Sequence, residues 1–354
     1  MSLRRRHTAV VALAVAAGLS LAACGSSSDS AGSGTGNGTA AKGKDKQSVA
    51  KGGKDFGSAA DKTAAMGTDA APGQFPRTVT HAMGTTVIKA RPTRVVVLDV
   101  GELDNVVSLG VKPVGYAPSE GSPELPSYLK KDGGQPKSVG TINSLNLEAI
   151  AGLHPDLILG SQLRAAPQYA ALSKIAPTVF SIRPGFTWKQ NYLLNAAALD
   201  KTAEAKAKLA DYDTRIKALD AKLEGKFGAH KPVVSMVRYM QDGKTRLYGN
   251  ASFIGTILKD AAIPRPKIQD IDDLAAEISA ENIDKADGDY IFTGVYGDPG
   301  TTDKARAQSN PLWKNLGAVK AGHAFDVPDE TWYLGLGVTA ADQVVADLTH
   351  YLAG

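Results

Sequence analysis

The chain contains a single cysteine, Cys24, among its 354 residues. Without a second thiol, neither a disulfide nor a thiolate metal cluster can form within one chain. Histidine is also sparse, and no two of the six residues have the spacing of a metal-binding pair. These residues are His7, His81, His154, His230, His323 and His350. Direct capture of a bare metal ion is therefore not expected.

The sequence also lacks the short motifs that mark common catalytic sites. There is no Gly-x-Ser-x-Gly elbow, no zinc-protease helix and no phosphate loop after a strand. The glycines from Gly32 to Gly38 do not follow a strand, and acidic runs such as DETWY are typical of solvated faces or helix caps. We therefore predict that this protein is not an enzyme.

No apolar run is long enough to cross a bilayer. The longest, Ala9 to Leu21, has about 13 residues and follows a basic stretch, Arg4 to Arg6, as in a secretory signal. The next residues, ending at Cys24, resemble the lipobox of bacterial lipoproteins. The resemblance implies cleavage of a signal peptide, residues 1–23, and lipidation of Cys24. An ordinary secretory signal with an incidental cysteine is the alternative.

The segment that follows, residues 24–74, is rich in Gly, Ser, Ala and Lys. It has too little apolar surface to form a core, which predicts a disordered tether spanning roughly 40 Å. Loss of residues 1–23 would remove three arginines and no acidic residue, lowering the formal charge from +4 to +1. A nearly neutral mature chain does not favour nucleic acid as a partner. We expect a protein held by lipid at the outer face of the cytoplasmic membrane.

An internal repeat indicates the architecture. NLEAIAGLHPDLIL (146–159) and SAENIDKADGDYIF (279–292) share four residues at a constant offset of 133 positions. The shared pairs are Glu148 and Glu281, Ile150 and Ile283, Asp156 and Asp289, and Ile158 and Ile291. Each copy reads as a polar N-cap, an acid in the first helical turn, a short helix and an apolar strand.

Strands alternating with helices before each copy predict parallel sheets in two similar α/β lobes. We place the lobes at residues 75–200 and 227–354. Between them, residues 201–226 predict one amphipathic spine helix, because Leu209, Tyr212, Ile216, Leu219 and Leu223 recur at helical spacing. A helical connector favours limited closure rather than a wide clamshell motion.

From about residue 75 onward the sequence resembles the substrate-binding lipoproteins of ABC importers for iron–siderophore complexes. The matching stretches include RPTRVVVLDVGELDNVVSLGVKPVGYA, LNLEAIAGLHPDLILGSQ, RLYGNASFIGTILKDAAI and NPLWKNLGAVKAGHAFDVP. The resemblance implies two Rossmann-like lobes joined by a long spine helix, the class III periplasmic-binding-protein fold. It also implies a monomer that carries ferric siderophore, needs no cofactor of its own, and presents Glu148 and Glu281 to the ABC permease. The alternative is that the two glutamates only complement the dipoles of their own helices.

Ligands of such folds bind where the carboxyl ends of the strands meet, so the residues that follow strands are the candidates. Arginines and aromatic residues predominate there, and the resemblance singles out Arg238. The ligand-binding candidates are Arg238, Trp332, Tyr116, Arg164, Trp188, Tyr296, Tyr239, Tyr333 and Arg183.

This composition favours a particular ligand chemistry. Guanidinium groups suit the anionic oxygens around iron, and aromatic faces suit aliphatic linkers. The larger share of aromatic residues favours a neutral or singly cationic ferric trishydroxamate, such as a desferrioxamine. A catecholate siderophore, haem and cobalamin are alternatives, and entry of a tyrosine into the iron sphere stays open.

Overall fold

Short runs of branched apolar residues build the sheet of the first lobe. In this computed structural model, which describes residues 56–241 and 243–354, the strand Val95–Val97 has no exposed surface. Such two-sided burial is typical of a parallel strand covered by helices. The five strands are all parallel, in the order Lys137–Ser138, Gly115–Tyr116, Val95–Val97, Leu157–Ser161 and Thr178–Ser181.

The sheet of the second lobe also has five strands but is mixed. Its order is Ala275–Ile278, Thr245–Tyr248, Val234–Met240, Tyr290–Tyr296 and Ala324–Asp326. The last three strands are parallel, as predicted, whereas Thr245–Tyr248 is antiparallel to both of its neighbours. The strand Thr245–Tyr248 begins too soon after Met240 for a helical crossover, so it can only return as a hairpin.

Two small hairpins and a set of helices complete the described residues. The hairpins pair Arg77–His81 with Gly84–Ile88 and Gly140–Thr141 with Ser144–Leu145. The α-helices are Ala59–Ala64, Val100–Ser108, Leu147–Gly152, Gln162–Ala165, Tyr169–Ile175, Trp188–Leu199, Thr202–Phe227, Phe253–Asp260, Lys304–Ser309, Pro311–Lys314, Gly317–Lys320, Asp329–Trp332 and Val338–Ala353. The 3-10 helices are Phe56–Ser58, Ser127–Leu129, Ala166–Gln168, Ala280–Ala286 and Pro299–Thr301. Among the helices described, none is long and apolar enough to cross a membrane.

The predicted spine helix is present as Thr202–Phe227, 26 residues or about 39 Å at 1.5 Å per residue. Four of its five predicted apolar positions are buried, and Leu209 is partly buried. This face packs against Trp188–Leu199 from the first lobe and against the last helix, Val338–Ala353. The helix ends at Gly228, whose φ of +64° is costly for a residue with a Cβ atom.

The repeat found in the sequence corresponds to equivalent positions in the two lobes. The four isoleucines of the repeat are fully buried. Ile150 and Ile283 occupy the same place in their lobes, as do Ile158 and Ile291. In both copies a short helix leads into a central parallel strand, Leu157–Ser161 or Tyr290–Tyr296. The prediction of two similar α/β lobes is confirmed by this arrangement.

The end of the predicted tether is folded rather than disordered. The helix Ala59–Ala64 packs against Trp188–Leu199, and Ala59 is fully buried. Further along, the Gly73 amide donates to Asp200, which also forms an ion pair of 2.6 Å with Arg77. Small alanine side chains allow this close packing, so a segment poor in large apolar residues still docks on a lobe. The proposed signal peptide, Cys24 and the tether up to residue 55 lie outside the described residues.

Candidate functional site

The carboxyl ends of the parallel strands in the two lobes face each other. Tyr296 ends a strand of the second lobe, and its hydroxyl accepts a hydrogen bond of 3.2 Å from the Gly121 amide of the first lobe. Gly121 belongs to residues 117–136, which connect the strands Gly115–Tyr116 and Lys137–Ser138. We call residues 117–136 the crossing segment. It brings the predicted site residues of both lobes to one region.

Arg238 is the most constrained side chain of this region. It is 4 % exposed, and its Nε donates to Asp329 at 2.6 Å while Nη2 donates to the second carboxylate oxygen. Nη1 donates to the Tyr248 hydroxyl at 3.0 Å. Burial lowers the pKa of Arg238, but the adjacent charge of Asp329 more than compensates and raises that pKa above its ordinary value. The guanidinium therefore stays cationic, and one N–H on each Nη has no partner among the described residues.

Aromatic rings surround the Arg238 guanidinium. Its central carbon lies 4.7 Å from the Tyr296 ring centroid and 5.5 Å from that of Tyr333. The Tyr333 hydroxyl lies 2.9 Å from the Phe292 backbone oxygen and 3.0 Å from that of Val237, and shares its one proton between them. Its ring meets that of Tyr248 edge-on. Tyr333 is thus buried and fixed to the backbone beside Arg238, whereas the half-buried Tyr296 presents its ring toward the first lobe.

Charged groups of the first lobe form the opposite wall. Arg164 Nε donates to Asp99 at 3.1 Å, and the other Asp99 oxygen caps the helix Val100–Ser108 at the Val100 amide. Burial, and then the nearby Asp99 charge, raise the pKa of Glu102 above its ordinary value, which favours the protonated carboxyl group. Tyr116 is also buried there, 5 % exposed, with its pKa raised by burial and then by the same two acids.

Several polar atoms at this wall are buried without a hydrogen-bonding partner among the described residues. The strand register places Ser161 directly beside Ser181, and Asp99 follows the neighbouring strand at the same level. The atoms concerned are Ser161 Oγ, Ser181 Oγ, Glu102 Oε2 and Asn191 Oδ1. Because unpaired buried polar groups are unfavourable, these atoms are suited to bind a polar ligand group.

Arg183 lies at the edge of the same wall. Burial lowers its pKa to about 10, and the charge of Asp273 from the second lobe acts in the opposite direction. It therefore remains cationic near pH 7. Its guanidinium carbon lies 4.3 Å from the Phe56 ring centroid and 5.2 Å from that of Phe186.

Three predicted ligand residues occupy the protein interior instead. Trp188 and Trp332 are fully buried, and their indole N–H groups donate to Thr256 and Asp347, each at 2.9 Å. Tyr239 alternates with Arg238 along its strand, so its side chain lies on the other sheet face, in the hydrophobic core. These three residues pack the fold and present no surface to a ligand in this structure.

The acidic partners of the arginines, Asp99 and Asp329, are not among the residues predicted from the sequence. Asp99 directly follows its strand, so the rule that selected the arginines could have selected it as well. Asp329 lies in the DETWY run, which we interpreted as a solvated face or cap, yet it is largely buried against Arg238. The signal that could have revealed Asp329 is the number of arginines that follow strands, because each of them needs a nearby carboxylate if it is buried.

Tyr116 and part of the crossing segment line a cavity of about 230 Å³. A second cavity of about 370 Å³ lies at the lobe junction, where Tyr128, Lys208 and Thr339 are among its lining residues. Within the described ranges no group of three or more His, Asp or Glu side chains could hold a metal ion.

The two glutamates of the repeat are exposed at equivalent places. Glu148 lies in the first turn of Leu147–Gly152, where Asn146 caps the helix by accepting from the Ala149 amide at 2.9 Å. Glu281 lies in the first turn of Ala280–Ala286, and a hydrogen bond from the Ser279 side chain lowers its pKa. Each lobe therefore presents an accessible glutamate in the first turn of the helix that precedes a central strand.

Comparison with known proteins defines the class. Residues 95–331 match the family of periplasmic binding proteins, and the chain belongs to that family. The fold is that of its type III members, as predicted. Members bind substrates for transport, which confirms that this protein is not an enzyme and needs no enzymatic cofactor.

Individual relatives are siderophore- or iron-binding proteins by name. The chain is 37 % identical over 291 residues to the probable siderophore-binding lipoprotein YfiY of Bacillus subtilis, covering 78 % of this chain and 87 % of the relative. It is 32 % identical to the Fe(3+)-citrate-binding protein YfmC of the same organism, covering 77 % and 84 %. Among solved structures, Staphylococcus aureus SirA complexed with staphyloferrin B is 36 % identical with a TM-score of 0.70, covering 78 % and 98 %. The resemblance stated from the sequence is confirmed.

Proposed function

We propose that this protein captures a ferric siderophore outside the cytoplasmic membrane and delivers it to an ABC importer. The observation that carries the proposal is the Arg238 site, where a fixed cation with two remaining N–H groups lies among aromatic rings. Such a group can bind an oxygen of the iron complex while the rings contact its organic part. The names of several relatives support the same class of ligand.

The charge balance of the cleft favours a complex of low net charge. Each of the three predicted arginines lies near one carboxylate: Arg238 near Asp329, Arg164 near Asp99, and Arg183 near Asp273. A highly anionic ligand buried there would meet little uncompensated positive charge. We therefore propose a ferric trishydroxamate, such as a desferrioxamine complex, as the ligand.

A ferric complex of citrate or a related carboxylate is the second candidate. Two relatives support it, because one is named for Fe(3+)-citrate and another was crystallised with staphyloferrin B. The protonated Glu102 and the unpartnered serine hydroxyls could donate hydrogen bonds to carboxylate arms. Catecholate siderophores, haem and cobalamin complete the set of ligands to test.

Delivery requires a membrane anchor and a permease contact. We propose that residues 1–23 are a cleaved signal, that Cys24 carries lipid, and that residues 24–55 are a tether. The exposed Glu148 and Glu281 then contact cationic residues of the permease, one from each lobe of a monomer. Their equivalent positions and accessibility support this docking role.

Uptake by cells tests the proposed function. Cells that lack this chain should fail to accumulate radioactive iron supplied as ferric desferrioxamine, and expression of the full chain should restore uptake. A Cys24→Ser variant should restore uptake poorly because it lacks the lipid site. Unchanged uptake without the chain would contradict the proposal for this ligand, and the same assay with ferric citrate would test the second candidate.

A further inference from the structure

Hydrogen bonds between Ser127 and Glu330 connect the lobes at the mouth of the cleft. Glu330 Oε2 accepts from the Ser127 amide at 3.1 Å, and Oε1 accepts from the Ser127 hydroxyl. Both bonds end on one carboxylate, which makes them stronger than bonds between neutral groups. Ser127 is exposed and Glu330 half-buried, so neither has a role in the core of its own lobe.

The first partner lies in the crossing segment, which makes two further contacts with the second lobe. The Gly121 amide contacts Tyr296, as described, and the Tyr128 hydroxyl donates to the Gly335 oxygen at 3.3 Å. A Cβ atom on Gly121 would lie only 2.5 Å from the Tyr296 ring, so any larger residue at this position would displace that ring. The crossing segment thus covers one of the aromatic rings that surround Arg238.

The second partner is adjacent in sequence to the residue that holds Arg238. Asp329 and Glu330 share the short helix Asp329–Trp332, and Trp332 fixes this helix to Asp347 of the last helix. One turn of helix therefore carries both the Arg238 ion pair and the bond to the other lobe. A ligand that binds Arg238 therefore contacts the side chain that holds Asp329, the residue next to Glu330 on this helix.

We propose that Ser127 and Glu330 form a latch that retains the bound ligand by holding the crossing segment over the cleft. The latch rests on the proposed function, since it acts on the same cleft. Ser127 and Glu330 are positioning residues that need not touch the ligand. They favour the closed arrangement of the lobes with or without ligand, and a bound ligand adds its own contacts across the closed cleft, so their loss should speed ligand release more than capture.

Release and capture rates of the soluble chain from residue 25 test the latch, with ferric desferrioxamine as the probe. We expect Glu330→Ala to increase the dissociation rate constant about five- to thirtyfold and to change the association rate constant less than twofold. Ser127→Ala should give a smaller increase, because its amide still donates. The double variant should release ligand no faster than Glu330→Ala, since the two residues act in one interaction.

The matched control is Glu124→Ala. Glu124 is an exposed acid of the same crossing segment, but its ion pair of 3.2 Å with Lys130 stays within that segment. This control should release ligand at the wild-type rate. Unchanged release from Glu330→Ala, or additive effects in the double variant, would overturn the latch while leaving ligand capture intact.

A second measurement tests the latch even if wild-type protein does not bind the probe. Spin labels on the exposed residues Lys174 and Ala305, one in each lobe, report the distance between lobes in a Cys24→Ser background. Without ligand, Glu330→Ala should broaden the distance distribution towards larger values, and Glu124→Ala should not. Identical distributions would contradict the latch, whereas absence of wild-type binding would contradict only the proposed ligand.

Discussion

Asp156 and Asp289, which are 133 positions apart, perform the same structural task in the two lobes. Asp156 accepts from the backbone amides of Thr93 and Arg94, both at 2.8 Å, just before the strand Val95–Val97. Asp289 accepts from the Val233 amide at 2.7 Å, just before the strand Val234–Met240. Each carboxylate connects the start of one central strand to the start of its neighbour, which explains why the repeat preserves an acid there.

The same equivalence gives a prediction for the exposed acids of the repeat. Because Glu148 and Glu281 are accessible and outside the cleft, replacing both with alanine should leave siderophore affinity unchanged and abolish uptake. Calorimetry on purified protein and radioactive-iron uptake by cells provide the two measurements. Glu124→Ala combined with Asp284→Ala is the control, since Asp284 is exposed on the same 3-10 helix as Glu281. Normal transport by the Glu148 and Glu281 double variant would exclude the docking role.

Arg238 should contribute to both binding and stability. Its removal alone leaves Asp329 buried without a partner, at a cost of about 3–5 kcal/mol in the free energy of unfolding. We therefore expect Arg238→Ala to lower the melting temperature, and Arg238→Met with Asp329→Asn to restore much of it. Both variants should bind siderophore at least tenfold more weakly by calorimetry.

The control for this test is Arg215→Met, because Arg215 on the spine helix pairs with Asp342 on the last helix, away from the cleft. It should retain wild-type affinity. If the folded double variant at Arg238 and Asp329 also retained it, Arg238 would not be a ligand residue.

Trp188→Phe and Trp332→Phe should lower stability without weakening binding. Each replacement removes an indole N–H that donates to the half-buried Thr256 or Asp347, at a cost of about 1 kcal/mol. Urea unfolding measures this cost, and titration should give affinities within about twofold of wild type. A tenfold loss of affinity with unchanged stability would place that tryptophan in the ligand site.

His81 should make the folded protein sensitive to acid. Its Nδ1 accepts from the Met83 and Phe180 amides, at 3.2 and 3.4 Å, while Nε2 lies 2.9 Å from Thr86 Oγ1, which itself donates to Thr178. These contacts fit only the neutral ring. Burial lowers the pKa of His81 from 6.5 to about 4, so its contribution is present above pH 6.5 and is lost as the pH falls towards 4.

The expected loss from His81 is about 3 kcal/mol at most in the free energy of unfolding. Urea unfolding at pH 7 and pH 4 measures it, with His81→Gln as the control, because an amide keeps one acceptor and one donor. Between pH 7 and pH 4 the free energy of unfolding should fall more for the wild type than for the variant. An equal pH dependence of the two proteins would show that His81 does not titrate in this range.

Sequence periodicity predicted features that depend on local burial. Leu219 and Leu223 are buried on the spine helix because an amphipathic pattern leaves one face for packing. The aromatic candidates were harder to place, since Trp332 and Tyr333 are adjacent and both buried, yet only Tyr333 lies beside Arg238. The direction in which a side chain points at a strand end depends on the path of the backbone after the strand. Amino-acid composition does not predict that path.

Long-range contacts account for the remaining differences. Asp200 binds both Gly73 and Arg77, more than 120 positions away, and this fixes part of the segment predicted as a tether. Likewise, Ser127 and Glu330 are 203 positions apart and have no sequence pattern in common. Such pairs form only once distant parts of the chain have folded together, so neither set could be predicted from local sequence.

The measurement that tests the central claim most directly is a calorimetric titration of the soluble chain with a panel of iron complexes. The panel contains ferric desferrioxamine, ferric citrate, a ferric catecholate, haem and cobalamin, with iron-free desferrioxamine as the control. We predict submicromolar binding of ferric desferrioxamine, weaker binding of the highly anionic complexes, and none of the iron-free molecule. Tight binding of ferric citrate or the catecholate, with no response to ferric desferrioxamine, would contradict the proposed ligand and the charge balance from which it was inferred.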